Sequence, residues 1–380
     1  MNIAIFTHNY PRTSDDRKDA GTLIYDFAKI LSKKHKIFVL CPDFGGNKEN
    51  YKDIKVKWFD YGSSKKFGNY SYFNPIDLFK LAKLFIIGCI EAEKLVKKEK
   101  IDYVLCSWAI PSGIFAWYTK LRLKTRYGIW YLGSDLNIYA KMPVMSFVMR
   151  MISTNADNLF ANSNWLRELA TKLYKKECIF TPTSTTVETK NIKKIKLDSK
   201  KTNILFIGRF ENVKGPDILL EACRLVSMKN SKFVLRMVGY GAMEDSLREF
   251  VKVNNLSSNV EFLGNPDWKV KASYMKASDF LVVASRHESL PLTVIEVANF
   301  SLPMISSDVG DSRDVVDKYF IGDICKNNNP ADMSKKILEF IKNKKYLSYR
   351  KRGKFKQFVS DYSLDRSAEL FLNKIENGKQ

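Results

Sequence analysis

Histidine and cysteine are scarce in this 380-residue chain, at three and six. His8, His35 and His287 are too scattered to make a metal site, and no two cysteines lie within four residues of each other. That excludes a zinc knuckle and a Cys-x-x-Cys redox pair. Several cysteines lie inside apolar runs, such as Cys106 after Val104 and Leu105, so buried free thiols in a reducing compartment are expected. Long apolar runs are also missing. The longest strongly apolar run without a charge in a plausible membrane helix is Leu84 to Ile90, against the roughly 20 residues a spanning helix needs. Met1 to Phe6 runs straight into a strand-like segment, without the basic and apolar regions of a secretory leader, so none is expected. Acidic residues are the minority, 41 against 63 Lys and Arg, for a formal net charge of +22.

The rest of the composition is ordinary: 45% hydrophobic, 27% charged, 18 Gly and 11 Pro. It excludes disorder, collagen and coiled coil, and the length suggests two domains. The basic excess is uneven along the chain, +15 over residues 1–200 and +7 over 201–380. An anionic partner is therefore expected on the first half. A Lys-rich solvated exterior is the plain reading of the charge, an anionic membrane surface the second and nucleic acid a distant third. No recognisable nucleic-acid module or basic stripe with interleaved aromatics supports the last, so no nucleic-acid partner is expected.

Periodicity organises the chain. Residues 2–7, 36–41, 54–59, 102–106, 127–132 and 159–162 read as strands, and 21–34, 77–98, 111–123, 142–152 and 164–173 as helices. The alternation stops at 183–202, TSTTVETKNIKKIKLDSKKT, a polar Lys-rich stretch read as a linker. It restarts with strands at 203–208, 232–239, 259–264, 279–285 and 303–307, helices at 216–226, 291–300 and 331–342, and an amphipathic segment at 363–375. This is an α/β pattern of two doubly wound domains, residues 1–182 and 203–360. A C-terminal helix at about 361–380 is expected to pack back onto the first. Such domains, facing each other across a cleft, carry their ligand at the carboxyl ends of the strands.

Two segments of the second half follow strands directly. Gly208-Arg209-Phe210-Glu211-Asn212-Val213-Lys214-Gly215-Pro216 opens a helix, whose free N–H groups and dipole end together with Arg209 and Lys214 could neutralise a diphosphate. Two surface cations on an ordinary loop are the plain alternative. In Ser285-Arg286-His287-Glu288-Ser289-Leu290-Pro291-Leu292-Thr293-Val294-Ile295-Glu296, Glu288 ends a loop and Glu296 lies two turns into an apolar helix. A carboxylate there needs a partner, and a pair of sugar hydroxyls is a good one; an exposed helix glutamate is the plain alternative. Amide donors around Leu292 and Thr293 suit phosphate.

GRFENVKGPDILLEA, VGYGAMEDSLREFV, VEFLGN and SRHESLPLTVIEVANFSLPMISSDVG, in that order, resemble the retaining nucleotide-sugar glycosyltransferases of the GT4 type, which have the GT-B fold: two Rossmann-like domains across a cleft. The likeness is dense over 203–320. The first half is looser: Pro11 with Ala20-Gly21 resembles the family's first loop, and Gly133-Ser134-Asp135 its His-Gly-x-Asp loop, with Leu132 in the usual histidine place. The resemblance implies that Arg209 and Lys214 hold the donor diphosphate and that Glu296 binds the ribose hydroxyls. Glu288 would contact the transferred sugar, with Arg209, Lys214 and Glu288 as the catalytic set. Leu292 and Thr293 would add phosphate and sugar contacts, Gly264-Asn265 would lie near the base, and Gly21 would let the first-domain loop approach the donor. Asp135 would lie near the sugar or acceptor, and His8, after the first strand, falls on the acceptor side. No Asp-x-Asp occurs, so no metal clamp and no cofactor is expected.

The expected activity is retaining, metal-independent transfer of a hexosyl-type unit from a nucleotide-diphospho-sugar to a lipid-linked or polysaccharide acceptor. The expected place is the cytoplasm, at the inner membrane face, with an anionic membrane surface as partner. A sugar-nucleotide epimerase of the same architecture is the rival reading, and the Glu288…Glu296 spacing argues against it.

Overall fold

The computed structural model describes residues 1–13, 21–49, 51–65, 67–71, 73–184, 186–193 and 195–377. Asp15, Asp16 and Ala20 of the first loop lie outside them. The chain forms two compact units, Met1–Thr186 with Ser363–Gln380, and Val187–Tyr362. The divide after Thr186 falls inside the polar stretch 183–202.

The first unit has one sheet, built from β1 (Asn2–Phe6), β2 (Lys36–Pro42), β3 (Ile54–Phe59), β4 (Tyr103–Ser107), β5 (Arg126–Tyr131), β6 (Asn158–Ala161) and β7 (Cys178–Phe180). The order is β3-β2-β1-β4-β5-β6-β7, and every pairing is parallel. Two-residue periodicity sends the side chains of each strand to both faces of the sheet, which explains why a central strand such as β1 is buried on both. Ala4 and Phe6 enter the core under helices 75–99, 112–123, 143–155 and 164–174, and Ile3 and Ile5 enter the core under helices 22–32 and 364–377. Phe371 of the C-terminal helix packs against Phe27, Tyr103 and Phe160.

The second unit repeats the plan with β8 (Thr202–Ile207), β9 (Phe233–Val238), β10 (Val260–Phe262), β11 (Phe280–Val283), β12 (Met304–Ser307) and β13 (Gly322–Cys325). Their order is β10-β9-β8-β11-β12-β13, again all parallel. In both sheets the strand order reverses beside the first strand, between β1 and β4 and between β8 and β11. The crevice at the carboxyl ends of such a pair is where doubly wound sheets bind ligands.

All six cysteines are free, five of them buried and Cys89 half-buried. Among the described residues no helix is long and apolar enough to cross a membrane. Counted by unit, the charge asymmetry of the two halves nearly vanishes. The first unit has 32 basic and 20 acidic residues and the second 31 and 21, because the Lys-rich stretch after residue 187 belongs to the second.

Candidate active site

Eight of the eleven site residues expected from the sequence lie in the second unit: Arg209, Lys214, Gly264, Asn265, Glu288, Leu292, Thr293 and Glu296. They sit on loops and helix starts that follow the strands. β8 ends at Ile207, and the chain turns through Gly208–Gly215 into helix Pro216–Ser227. Gly215 has φ +62, and a Cβ there would stand 2.0 Å from the carbonyl oxygen of Ala284, just past β11. Glycine is needed both for the left-handed turn and for this close approach, which presses the loop carrying Lys214 against the end of the neighbouring strand.

Arg286 locks the same two loops together. Its guanidinium makes a two-pronged pair with Asp217, at 2.9 and 2.6 Å. It also donates to the carbonyl of Asn212 at 2.7 Å, and its backbone N–H donates to Val213 O at 2.8 Å. The pairing holds the Asp217 carboxyl below its usual range, although burial alone would raise it. The loop on the far side of Glu288 is fixed at Gly310, whose φ is +49. A Cβ there would lie 2.0 Å from Ser289 O and 2.4 Å from Glu288 O.

Between these brackets Lys214 and Glu288, 74 positions apart in sequence, form a largely buried ion pair. Glu296 keeps some exposed surface, but its carboxyl is crowded. Desolvation raises its pKa, and the fields of Lys271 and Lys214 oppose the rise. Lys271, on helix Trp268–Ala277, is the reciprocal case: burial lowers its pKa, and Glu296 and Asp267 oppose that. The structure thus gathers Lys214, Glu288, Glu296 and Lys271 into one electrostatic cluster. Arg209 stands apart from it, 62% exposed at the side chain and paired with Glu211 at 2.8 Å.

Leu292 and Thr293 are the first two residues of helix Leu292–Ala298, which no side chain caps. Gly264 has φ +64, and a Cβ there would meet nothing within 4 Å; its carbonyl accepts from Gly239 N–H at 2.7 Å. A cavity of about 690 Å³ in this unit lies elsewhere, at the amino ends of the strands beside Thr202, Asn203 and Asp279, and holds none of these residues. No three described His, Cys, Asp or Glu side chains gather as metal ligands.

The remaining three residues, Gly21, His8 and Asp135, lie in the first unit. At Gly21 a Cβ would meet the backbone of Tyr10 at 2.8 Å and of Asn9 at 3.0 Å, so the helix start packs tightly on the β1 exit. His8 follows β1 as Trp108 follows β4, and their rings are 4.7 Å apart. Burial lowers the His8 pKa to about 4, and Nδ1 has no hydrogen-bond partner among the described residues. Asp135 is fully buried. Its oxygens accept from Ala109 N–H at 2.7 Å and Leu132 N–H at 3.0 Å, and desolvation raises its pKa to about 6 against these bonds. It ties the loop after β4 to the loop after β5.

Sequence reading assigned no role to Arg286, Asp217 or Lys271, which the structure sets among these residues. The Arg286–Asp217 pair spans 69 positions, and no local spacing reports such a pairing. Lys271 carried no signal beyond its charge.

Residues 187–357 match the family of glycosyl transferases group 1. A glycosyltransferase of Methanocaldococcus jannaschii, MJ1178, is 29% identical over 280 residues, 73% of each chain. Sucrose-phosphate synthase from Thermosynechococcus elongatus superposes with a TM-score of 0.78 at 17% identity, covering 99% of this chain and 98% of the other. Anabaena HepE, solved in complex with UDP-glucose, gives 0.74 at 14% identity over 99% and 100%.

Proposed function

We propose, from the premise that this chain is a glycosyltransferase of the GT-B fold carrying a glycosyl transferases group 1 domain, that the Lys214 cluster binds a nucleotide-diphospho-sugar and drives departure of its diphosphate. The observation that carries the reading is the convergence of Lys214, Glu288 and Glu296 at the carboxyl ends of β8 and β11. Lys214 is neutralised by Glu288. A diphosphate is the stronger anion and takes Lys214 over, which releases Glu288 to accept hydrogen bonds from hydroxyls of the transferred sugar. Arg209 exchanges Glu211 for phosphate in the same way. Glu296, which faces the field of Lys271, accepts from the ribose hydroxyls. Leu292, Thr293 and Gly264-Asn265 complete the donor contacts.

The reaction breaks the bond between the anomeric carbon and the β-phosphate oxygen. Positive charge develops on the sugar and negative charge on the leaving phosphate. Lys214 and Arg209, with the start of helix Pro216–Ser227, stabilise the latter without a metal ion. The acceptor hydroxyl enters from the face the diphosphate leaves, so the anomeric configuration is retained, and the departing phosphate takes its proton. The acceptor is a lipid-linked or polysaccharide glycan at the cytoplasmic face of the membrane, met by His8 and by the loops that Asp135 ties together.

A thermal-shift panel of UDP-, GDP- and ADP-sugars tests the donor: one of them raises the melting temperature by mass action. No shift from any, at concentrations well above the millimolar range, contradicts the reading. Turnover undiminished by EDTA, and a product with the donor's anomeric configuration by NMR, are expected for the metal-free retaining step.

A further inference from the structure

The two units leave apolar surface in different ways. Of seventeen large hydrophobic side chains exposed among the described residues, twelve are in the first unit, and nine of those fall in two short segments, 73–90 and 138–147. The five in the second unit are Met228, Tyr240, Val253, Val270 and Leu347, scattered singly, which is ordinary for a protein surface.

The first segment lies on helix Pro75–Glu99. Asn74 caps its start by accepting from Ile76 N–H, and it is about 37 Å long at 1.5 Å per residue. Its inner face buries Leu81, Leu84, Gly88, Ala92 and Leu95. A second stripe, Ile76, Phe79, Lys83, Ile86 and Ile90, recurs every three to four residues on the side opposite the core. Its apolar members are 64%, 66%, 61% and 43% exposed, and Phe73, just before the helix, is 97% exposed. The second segment adds Ile138, Val144 and Phe147, at 56%, 74% and 72%. Helices 75–99 and 143–155 bury their other sides in the same core. Phe67 joins the segments, its ring 6.4 Å from Phe85 and 6.2 Å from Tyr139.

Charge selects the occupant. Segments 73–90 and 138–147 contain three basic residues, Lys80, Lys83 and Lys141, and one acid. That acid, Asp77, is buried and consumed by Lys65 and by Ser71 N–H. Lys83 lies within the apolar stripe, its ammonium 5.9 Å from the Phe79 ring. In a symmetric pairing with a second copy of this helix, Lys83 would be buried without an acid in the stripe to meet it. At a lipid surface it extends to anionic headgroups while Phe79, Ile86, Phe73 and Phe147 enter the acyl boundary.

We propose that this face of the first unit, the outer stripe of helix Pro75–Glu99 with Ile138, Val144 and Phe147, docks the enzyme on an anionic lipid bilayer. The proposal names the surface for the membrane-side reading of the acceptor and leans on that reading only for its purpose; the docking itself needs no substrate.

The test is flotation of the full chain with phosphatidylcholine vesicles, with and without one-third phosphatidylglycerol. Binding to the anionic vesicles alone is expected, and the double variant Phe79→Ser/Ile86→Ser should lower the bound-to-free ratio at least about tenfold. Lys80→Glu/Lys83→Glu should lower it several-fold and flatten its salt dependence. Tyr240→Ser, in the second unit, should change nothing. Donor binding measured without vesicles should be equal in all variants, which checks folding and keeps the donor reading separate. The proposal is overturned if the wild type ignores anionic vesicles or the Phe79/Ile86 variant floats as well as wild type. A wild-type dimer that this variant converts to monomer also overturns it, since a second copy would then be the occupant.

Discussion

The two units share a topology and differ in what they do with charge at the carboxyl ends of their strands. In the second, Lys214, Glu288, Glu296, Lys271, Arg286 and Asp217 are partly buried and set against one another. In the first, His8 is desolvated toward the neutral form and both Asp135 oxygens are spent on backbone N–H groups. Nearly equal net charge therefore hides unequal chemistry. The second unit keeps ion pairs, which the proposed donor would take over; the first keeps a desolvated histidine and a carboxyl bonded to backbone amides. Substitutions in the second unit should change donor chemistry, and those in the first should change stability or acceptor use.

The largest effect is expected at Glu288. Glu288→Gln should cut sugar transfer about a hundredfold, the size of loss typical of one preorganised electrostatic group. Because it also frees Lys214, binding of the free nucleoside diphosphate should be equal to wild type or tighter. Transfer rates and calorimetry on the same preparation check both halves. Lys214→Ala should lower kcat by more than about tenfold; near-normal turnover would remove its assigned role.

Smaller, and sharper as a discriminator, is Arg286→Met. It removes the clamp on Asp217 and Asn212 without touching substrate, so both kcat and KM should worsen about fivefold to tenfold through misplaced loops. Asp217→Asn should do the same, and the double variant should be no worse than either single one. Full additivity would mean that the two side chains act separately.

In the first unit the expected effects are on stability. Folding lowers the His8 pKa from 6.5 to about 4, so its neutral form favours the native state. That contribution is whole above about pH 6.5 and is lost as pH falls toward 4. Asp135 has the opposite sign. Folding raises its pKa from 3.8 to about 6, so its contribution is whole below about pH 3.8 and is lost as pH rises through 6. Relative to wild type, His8→Asn should melt at increasingly favourable temperatures on acidification. The Asp135→Asn difference should move the other way, and neither variant should alter donor affinity.

Much of this organisation is legible in the sequence. Apolar runs such as Ile3–Phe6 and Ile204–Ile207 identify buried parallel strands, and the Gly-Arg…Lys-Gly-Pro and Glu288…Glu296 spacings single out the loops proposed to hold the donor. Two strands escape, β7 with three residues and β13 with four; β6 and β10 are just as short but lie in apolar runs that mark them, whereas β13 carries Gly322 and Asp323. Pairings also escape, because Arg286 and Asp217 meet only through the β8–β11 register. Residues 77–98 read as a helix, but the apolar residues of helix 75–99 occupy two opposite stripes, and only packing shows which one meets the core. For Asp135, which the resemblance sets near the sugar or acceptor, only the structure shows that its oxygens accept from backbone amides.

The most direct measurement is a calorimetric titration of the nucleoside diphosphate of the preferred donor into wild type, Lys214→Ala and Glu288→Gln. Opposite displacements are expected: at least about tenfold weaker for Lys214→Ala, and unchanged or tighter for Glu288→Gln. Wild-type affinity in Lys214→Ala, or equal weakening in both, would contradict the placement of the diphosphate on Lys214.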